Sequence, residues 1–112
     1  MPGKFEVKKA TNGQYMFNLK AGNGEVILTS ETYESKDGCL NGVESVRKNS
    51  AQDARFDRRT SKNGKPYFAL TAGNGQDIGR SEMYESKASM EKGIRSVMRN
   101  APEAKLVESA GA

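Results

Sequence analysis

Residues 30–46 read SETYESKDGCLNGVESV and residues 81–97 read SEMYESKASMEKGIRSV. Working outward from this pair, Phe5–Ala54 aligns without a gap onto Phe56–Lys105 at an offset of about 51 residues, and about 20 of roughly 50 aligned positions are identical. The chain is an internal duplication. A half of this size buries too little apolar surface to stand alone, so the two copies are expected to share one core.

Inside the quoted stretch the apolar residues recur at helical spacing. Cys39, Val43 and Val46 match Met90, Ile94 and Val97, with Leu40 beside the first stripe. Two amphipathic helices follow, about 36–49 and 87–100. Ser35 and Ser86 are placed to accept from first-turn amides as N-caps. Gly38 and Ser89 stand at the third helical position, so there is no capping box. Tyr33 and Tyr84 precede the caps and are expected to pack under the helix starts. Gly42 and Gly93 lie on the apolar side, where glycine costs roughly 1 kcal/mol against alanine. Their presence in both copies predicts a close approach of helix to sheet.

Around the helices the period is two. Phe5 and Val7 alternate with Glu6 and Lys8, and Tyr15, Phe17 and Leu19 alternate with Met16, Asn18 and Lys20. Asn12-Gly13 and Asn63-Gly64 predict type I′ hairpin turns, with positive φ at both residues. Gly22-Asn23-Gly24 and Gly73-Asn74-Gly75 separate the second strand of each copy from a third. Further strands follow the helices, at Arg55–Arg59 and at Lys105–Glu108, giving the order βββαβββαβ. The expected fold is α+β: one antiparallel sheet with both helices on one face, and Glu6, Lys8, Asn18 and Lys20 turned to water on the other. The expected organisation is a single domain over 1–112, with repeats at about 5–54 and 56–105, a closing strand at about 105–108 and a loose tail at Ala110–Ala112.

Composition narrows the function classes. Of 112 residues, 35% are hydrophobic and 29% charged, the range of globular proteins. No apolar run approaches the ~20 residues of a membrane span. The first residues, MPGKFEVKK, lack the apolar stretch of a secretory signal, so a cytoplasmic location and no membrane partner are expected. Histidine is absent, which removes the usual acid-base group near neutral pH and the commonest metal ligand. Cys39 is the single cysteine, and its apolar neighbours mark it as a core thiol. No catalytic residue, metal site or cofactor is expected. Net charge is +4, and copy two carries all the excess of basic over acidic residues.

The combination of an Asn-Gly turn, a Phe-x-Leu strand, an AGNG turn, the SExYESK segment and a helix carrying Gly-(Val/Ile)-x-Ser-Val resembles the YegP-like family, small and mostly bacterial proteins of unknown function. Here those motifs stand at Ser30–Lys36 with Gly42–Val46, and at Ser81–Lys87 with Gly93–Val97. The resemblance implies a βββαβ unit, used in tandem or as two chains, that forms one sheet with exchanged final strands. It implies no activity, substrate or cofactor. Two pairs depart from the repeat, Val7 against Arg58 and Leu28 against Gly79, and predict unequal sheet edges.

Three groups of residues are candidates for function. The carboxylate pairs Glu31 with Glu34 and Glu82 with Glu85 read as acidic residues facing a helix N-terminus. The GNG segments lie between strands rather than before a helix, so they read as turns and not as phosphate loops. Arg59, Lys62 and Lys65 beside Tyr67, together with Lys92, Arg95 and Arg99 at helical spacing, form a basic set that would suit a nucleic-acid backbone. Met16 and Tyr67, aligned on the water-facing parity, are the expected exposed anchors for a protein partner. The expected function is a non-catalytic protein-interaction or structural module with an unknown protein partner, a monomer with internal pseudo-two-fold symmetry. The alternative is a weak nucleic-acid-binding protein using the basic face of the second repeat.

Overall fold

A computed structural model describes residues 3–109, so the expected tail at Ala110–Ala112 lies outside the described residues. Copy one contributes β1 (Lys4–Lys9), β2 (Tyr15–Lys20), β3 (Val26–Ser30) and α1 (Lys36–Asn49). Copy two contributes β4 (Phe56–Thr60), β5 (Pro66–Thr71), β6 (Asp77–Arg80), α2 (Lys87–Asn100) and β7 (Lys105–Glu108). Short 3-10 turns at Asp53–Arg55 and Ala101–Glu103 connect each helix to the strand after it.

The hairpin turns differ from the type I′ expectation. Only their glycines have positive φ, 84° at Gly13 and 81° at Gly64; neither asparagine does. In the first turn the Gly13 amide donates to the Ala10 carbonyl at 3.0 Å, and the Ala10 amide donates to the Gln14 carbonyl at 2.6 Å. This is the three-residue connection in which a type I turn is followed by a left-handed glycine. The physical reason is local. Asn12 Oδ1 accepts from the Gln14 amide at 3.0 Å, which holds the asparagine in ordinary right-handed backbone. The turns at Asn23-Gly24 and Asn74-Gly75 repeat the device.

The strands form one seven-stranded sheet in the order β4-β5-β6-β3-β2-β1-β7. The copies meet at its centre, where β3 pairs antiparallel with β6 through Thr29↔Arg80 and Ser30↔Gly79. Thr29 and Arg80 are equivalent residues of the repeat, so the pseudo-two-fold axis passes through that pair. Gly79, equivalent to Leu28, therefore sits at the axis and not at a sheet edge as expected. A Cβ on Gly79 would meet the Thr29 carbonyl oxygen at 2.8 Å and Leu28 Cγ at 3.1 Å, so one leucine fills the space that two would contest. The sheet is antiparallel except for its last pair, β1 with β7, which is parallel. Each helix leaves the middle of the sheet and delivers its following strand to the far edge of the other copy; because β4 is equivalent both to β1 and to the strand after a helix, β7 runs in the same direction as β1.

Both helices lie on one face and share one core. α1 covers β2 and reaches β5 and β6, while α2 covers β5 and reaches β3. Phe5, Phe17, Leu19, Phe56, Phe68 and Leu70 meet Cys39, Val43, Val46, Met90, Ile94 and Val97 in a single apolar cluster. The SExYESK segment builds the junction. The buried Ser30 hydroxyl accepts from the Phe17 amide at 2.8 Å and donates to the Glu31 carbonyl at 2.7 Å. Tyr33 stacks on Phe17 with ring centroids 6.4 Å apart, and Ser35 Oγ caps α1 at the Gly38 amide, 3.0 Å. Ser81, Tyr84 and Ser86 repeat these roles.

The same junction explains the helix glycines. A Cβ on Gly93 would fall onto the Tyr84 hydroxyl, 2.7 Å from Tyr84 Cζ and 3.2 Å from Phe68 Cε2. Helix propensity favours alanine there by roughly 1 kcal/mol, whereas overpacking costs about 1–3 kcal/mol. With the Tyr84 ring fixed between Phe68 and the helix, overpacking wins. Gly93→Ala should lower the urea-unfolding free energy by about 1–2 kcal/mol, and Tyr84→Phe in the same chain should recover part of the loss. A stabilised Gly93→Ala protein would contradict the packing account.

Candidate interaction surfaces

The two ends of the sheet differ in kind. At one end β7 covers the outer edge of β1, where Lys105 and Ser109 amides donate to the Gly3 and Val7 carbonyls at 3.2 and 2.9 Å. The other end is β4, and among the described residues no strand lies beside its outer edge. The Arg55 carbonyl is turned inward to Thr71 Oγ1 at 2.9 Å, so the peptide groups of Phe56 and Arg58 alternate outward. The Phe56 amide is closed by the Asp53 carbonyl. The Phe56 carbonyl accepts from Arg58 Nη1 at 3.2 Å. The outward amide and carbonyl of Arg58 itself have no such cover.

Arg58 is the centre of an ion trio on this edge. Its Nε and Nη2 donate to the Glu91 carboxylate at 2.7 and 2.9 Å, and Nη2 donates to Asp53 Oδ1 at 2.9 Å. These bonds hold the Glu91 carboxyl below its ordinary range and push the guanidinium further above its own. The equivalent positions at the covered end are Val7, Leu40 and Ala104, all part of the apolar core or packed against it. Where β7 supplies a roof the trio is apolar; where the edge is open it is charged. Such charge is a common way to keep an exposed edge from pairing at random.

The helix-free face of the sheet carries the second group. Arg59 reaches across β5 and donates to both oxygens of Asp77 at 2.9 and 2.8 Å, and its Nε donates to Asp57 at 2.9 Å. The guanidinium holds the Asp77 carboxyl below its ordinary value. At the other end Glu6 is paired with Lys20 at 2.9 Å and Lys8 at 3.5 Å, and Lys20 depresses its pKa. Asn18, expected in water, is 7% exposed: it lies between its cross-strand neighbours Glu6 and Thr29 and donates to Thr29 Oγ1 at 3.0 Å. Met16 and Tyr67 lie on this face and are half-buried rather than fully exposed.

The basic set does not form one surface. Arg59 is tied down on the sheet, Lys65 is paired with Glu85 at 2.9 Å, and Lys62 sits exposed in the hairpin turn. Lys92, Arg95 and Arg99 are exposed on α2, and none is in an ion pair among the described residues. The SExYESK carboxylates stay at the surface, with Glu31 3.7 Å from Arg80. Cys39 is fully buried, and burial pushes its thiol pKa up, away from the reactive thiolate. Among the described residues there is no group of three or more acidic or cysteine side chains arranged to hold a metal. A cleft of about 500 Å³ between α1 and the turn at Ala72–Asn74, with Lys48 and Arg55 in its lining, was not foreseeable from the sequence because its walls come from different copies.

Comparison with known proteins places these features in a family. The model for a domain of unknown function, DUF1508, matches twice, at residues 10–57 and 61–108. The chain belongs to the DUF1508 family. A UPF0339 protein of Pseudomonas aeruginosa is 54% identical over 106 residues, covering 95% of this chain and 96% of that one. The solution structure of YegP from E. coli, a protein of unknown function, superposes with a TM-score of 0.94 at 47% identity, covering 100% of this chain and 97% of that one. The solution structure of a UPF0339 protein from Shewanella oneidensis gives 0.90 at 51% identity over 96% and 92% of the two chains. Each match of the DUF1508 model begins after a hairpin's first strand and ends in the strand that follows a helix, so β4 closes the first unit while aligning with β1 as the opening strand of the second.

The ion trio can be tested by rebuilding the open end as the covered one. Asp53→Ala, Arg58→Val and Glu91→Leu together remove the charge and leave an apolar edge strand. Sedimentation velocity should show concentration-dependent self-association of the triple variant and none of the parent. Identical sedimentation of the two would mean that the trio does not guard the edge.

Proposed function

We propose that this DUF1508 protein is a non-catalytic binding module that meets a protein partner through its sheet. The observation carrying this reading is the placement of both helices on one side, which leaves the opposite face of a seven-stranded sheet without a covering layer among the described residues. Ion pairs on that face fix its long side chains in advance, so a partner would not have to bear the entropy of ordering them. Met16 and Tyr67 supply its larger apolar contacts.

A second reading, weak nucleic-acid binding through α2, is favoured by the exposed Lys92, Arg95 and Arg99, which have no ion pair among the described residues. It is the smaller claim, because Arg59 and Lys65 are committed to carboxylates and would lose those pairs on meeting phosphate.

One pair of experiments separates the readings. In affinity purification from the native host, Met16→Ala with Tyr67→Ala should lose a partner that the parent retains, at unchanged unfolding midpoint; unchanged recovery contradicts the sheet-face reading. Fluorescence anisotropy with labelled single-stranded RNA and duplex DNA should show no saturable binding at physiological salt. Binding that persists there and is lost on Arg95→Glu with Arg99→Glu would favour the nucleic-acid reading instead.

A further inference from the structure

The covered end of the sheet is a template for the open one. β7 lies parallel to β1 in the register Leu106↔Phe5, Val107↔Glu6 and Glu108↔Val7. Its side chains are largely exposed, 47% at Leu106 and 37% at Val107, so β7 adheres through its backbone ladder and a few side-chain contacts rather than through a buried face. One of those contacts is charged. Glu108 forms an ion pair with Lys36, the first residue of α1.

The equivalent positions at the other end retain half of this arrangement. Phe56 and Arg58 stand where Phe5 and Val7 stand, and Lys87, the first residue of α2, stands where Lys36 does. Lys87 is exposed and has no ion pair among the described residues. A cavity of about 280 Å³ opens beside the edge, lined by Arg58, Thr60, Pro66, Lys87, Met90 and Glu91. A strand laid parallel to β4 in the β7 register would place the side chain opposite Arg58 toward Lys87, as Glu108 is placed toward Lys36.

We propose that the outer edge of β4 is a docking edge for an extended segment of a protein partner that carries an acidic residue, bound parallel to β4 with that carboxylate opposite Arg58 and paired to Lys87. The proposal rests on the protein-binding reading above and assigns it a second, separate surface. Backbone bonds to the uncovered outward groups of β4 supply adhesion, and the Lys87 pair supplies register and the preference for an acidic residue opposite Arg58. The partner strand displaces the bond from Arg58 Nη1 to the Phe56 carbonyl, leaves the Phe56 amide on the Asp53 carbonyl, and leaves Arg58 bound to Glu91 and Asp53. The ion trio thus admits a strand that brings a carboxylate to Lys87 while discouraging apolar edges from pairing.

The probe is a capped hexapeptide with the sequence of residues 104–109, AKLVES, titrated into the full chain and followed by ¹H–¹⁵N NMR. Saturable shifts are expected at the Phe56–Thr60 and Lys87 amides. Lys87→Glu should weaken binding roughly tenfold, and a peptide with lysine in the glutamate position should recover affinity for that variant. Arg99→Glu, of equal charge change, should leave the affinity unchanged. Absence of shifts, shifts confined to α2's outer face, or shifts at β1 from exchange with the resident β7 would each overturn the docking edge. Failure at β4 with partner recovery still dependent on Met16 and Tyr67 would remove this proposal and leave the sheet-face reading standing.

Discussion

The constraint on which the structure depends is that one strand does two jobs. β4 is the strand that follows α1, as β7 follows α2, and it is also the opening strand of the second copy, as β1 is of the first. At the covered end these two roles fall to separate strands lying side by side. At the other end a single strand fills both, and among the described residues no strand lies beside it. A continuous tandem chain with one linking strand therefore cannot be symmetric at its two sheet edges, however closely its repeats match.

The side chains follow that constraint. Val7, Leu40 and Ala104 sit beneath a strand and are apolar; Arg58, Glu91 and Asp53 sit at an open edge and form an ion trio. Exposed ion pairs add little stability on their own, typically below 1 kcal/mol each, so their value here lies in what they prevent or select at the edge. At the centre the break in symmetry has a different cause. Residues facing their own equivalents across a two-fold axis compete for the same space, and Leu28 with Gly79 resolves it. Away from edge and axis the copies agree, because Ser30 and Ser81, Tyr33 and Tyr84, and Gly42 and Gly93 meet the same local geometry twice.

Most of the fold was legible in the residues because it rests on local signals. Helical spacing located α1 and α2, serine located their caps, and alternation located the strands, since these depend on neighbours a few positions away. The close helix approach was readable from Gly42 and Gly93, although the partner they admit, a tyrosine hydroxyl from the segment before the helix, was not. Apart from the hairpin turn type, which a local asparagine side-chain bond decides, what escaped was decided by distant pairing. The parallel direction of β7, the burial of Asn18 under its neighbours and the position of Gly79 on the axis all depend on which strands become adjacent. The two basic groups of the second repeat read as one set, yet Arg59 and Lys65 face carboxylates brought from β6 and from the segment before α2. The substitution of Arg58, Glu91 and Asp53 for Val7, Leu40 and Ala104 was visible in the aligned repeats one residue at a time; only the fold shows that the three changes are one.

The most direct measurement is native-state amide hydrogen exchange compared between equivalent residues, Val7 under β7 and Arg58 on the open edge. The account predicts strong protection of the Val7 amide and exchange at Arg58 faster by orders of magnitude, since one lies within a strand pair and the other faces solvent. Equal protection of the two would show that the β4 edge is covered in solution and would contradict the inequality of the two sheet edges.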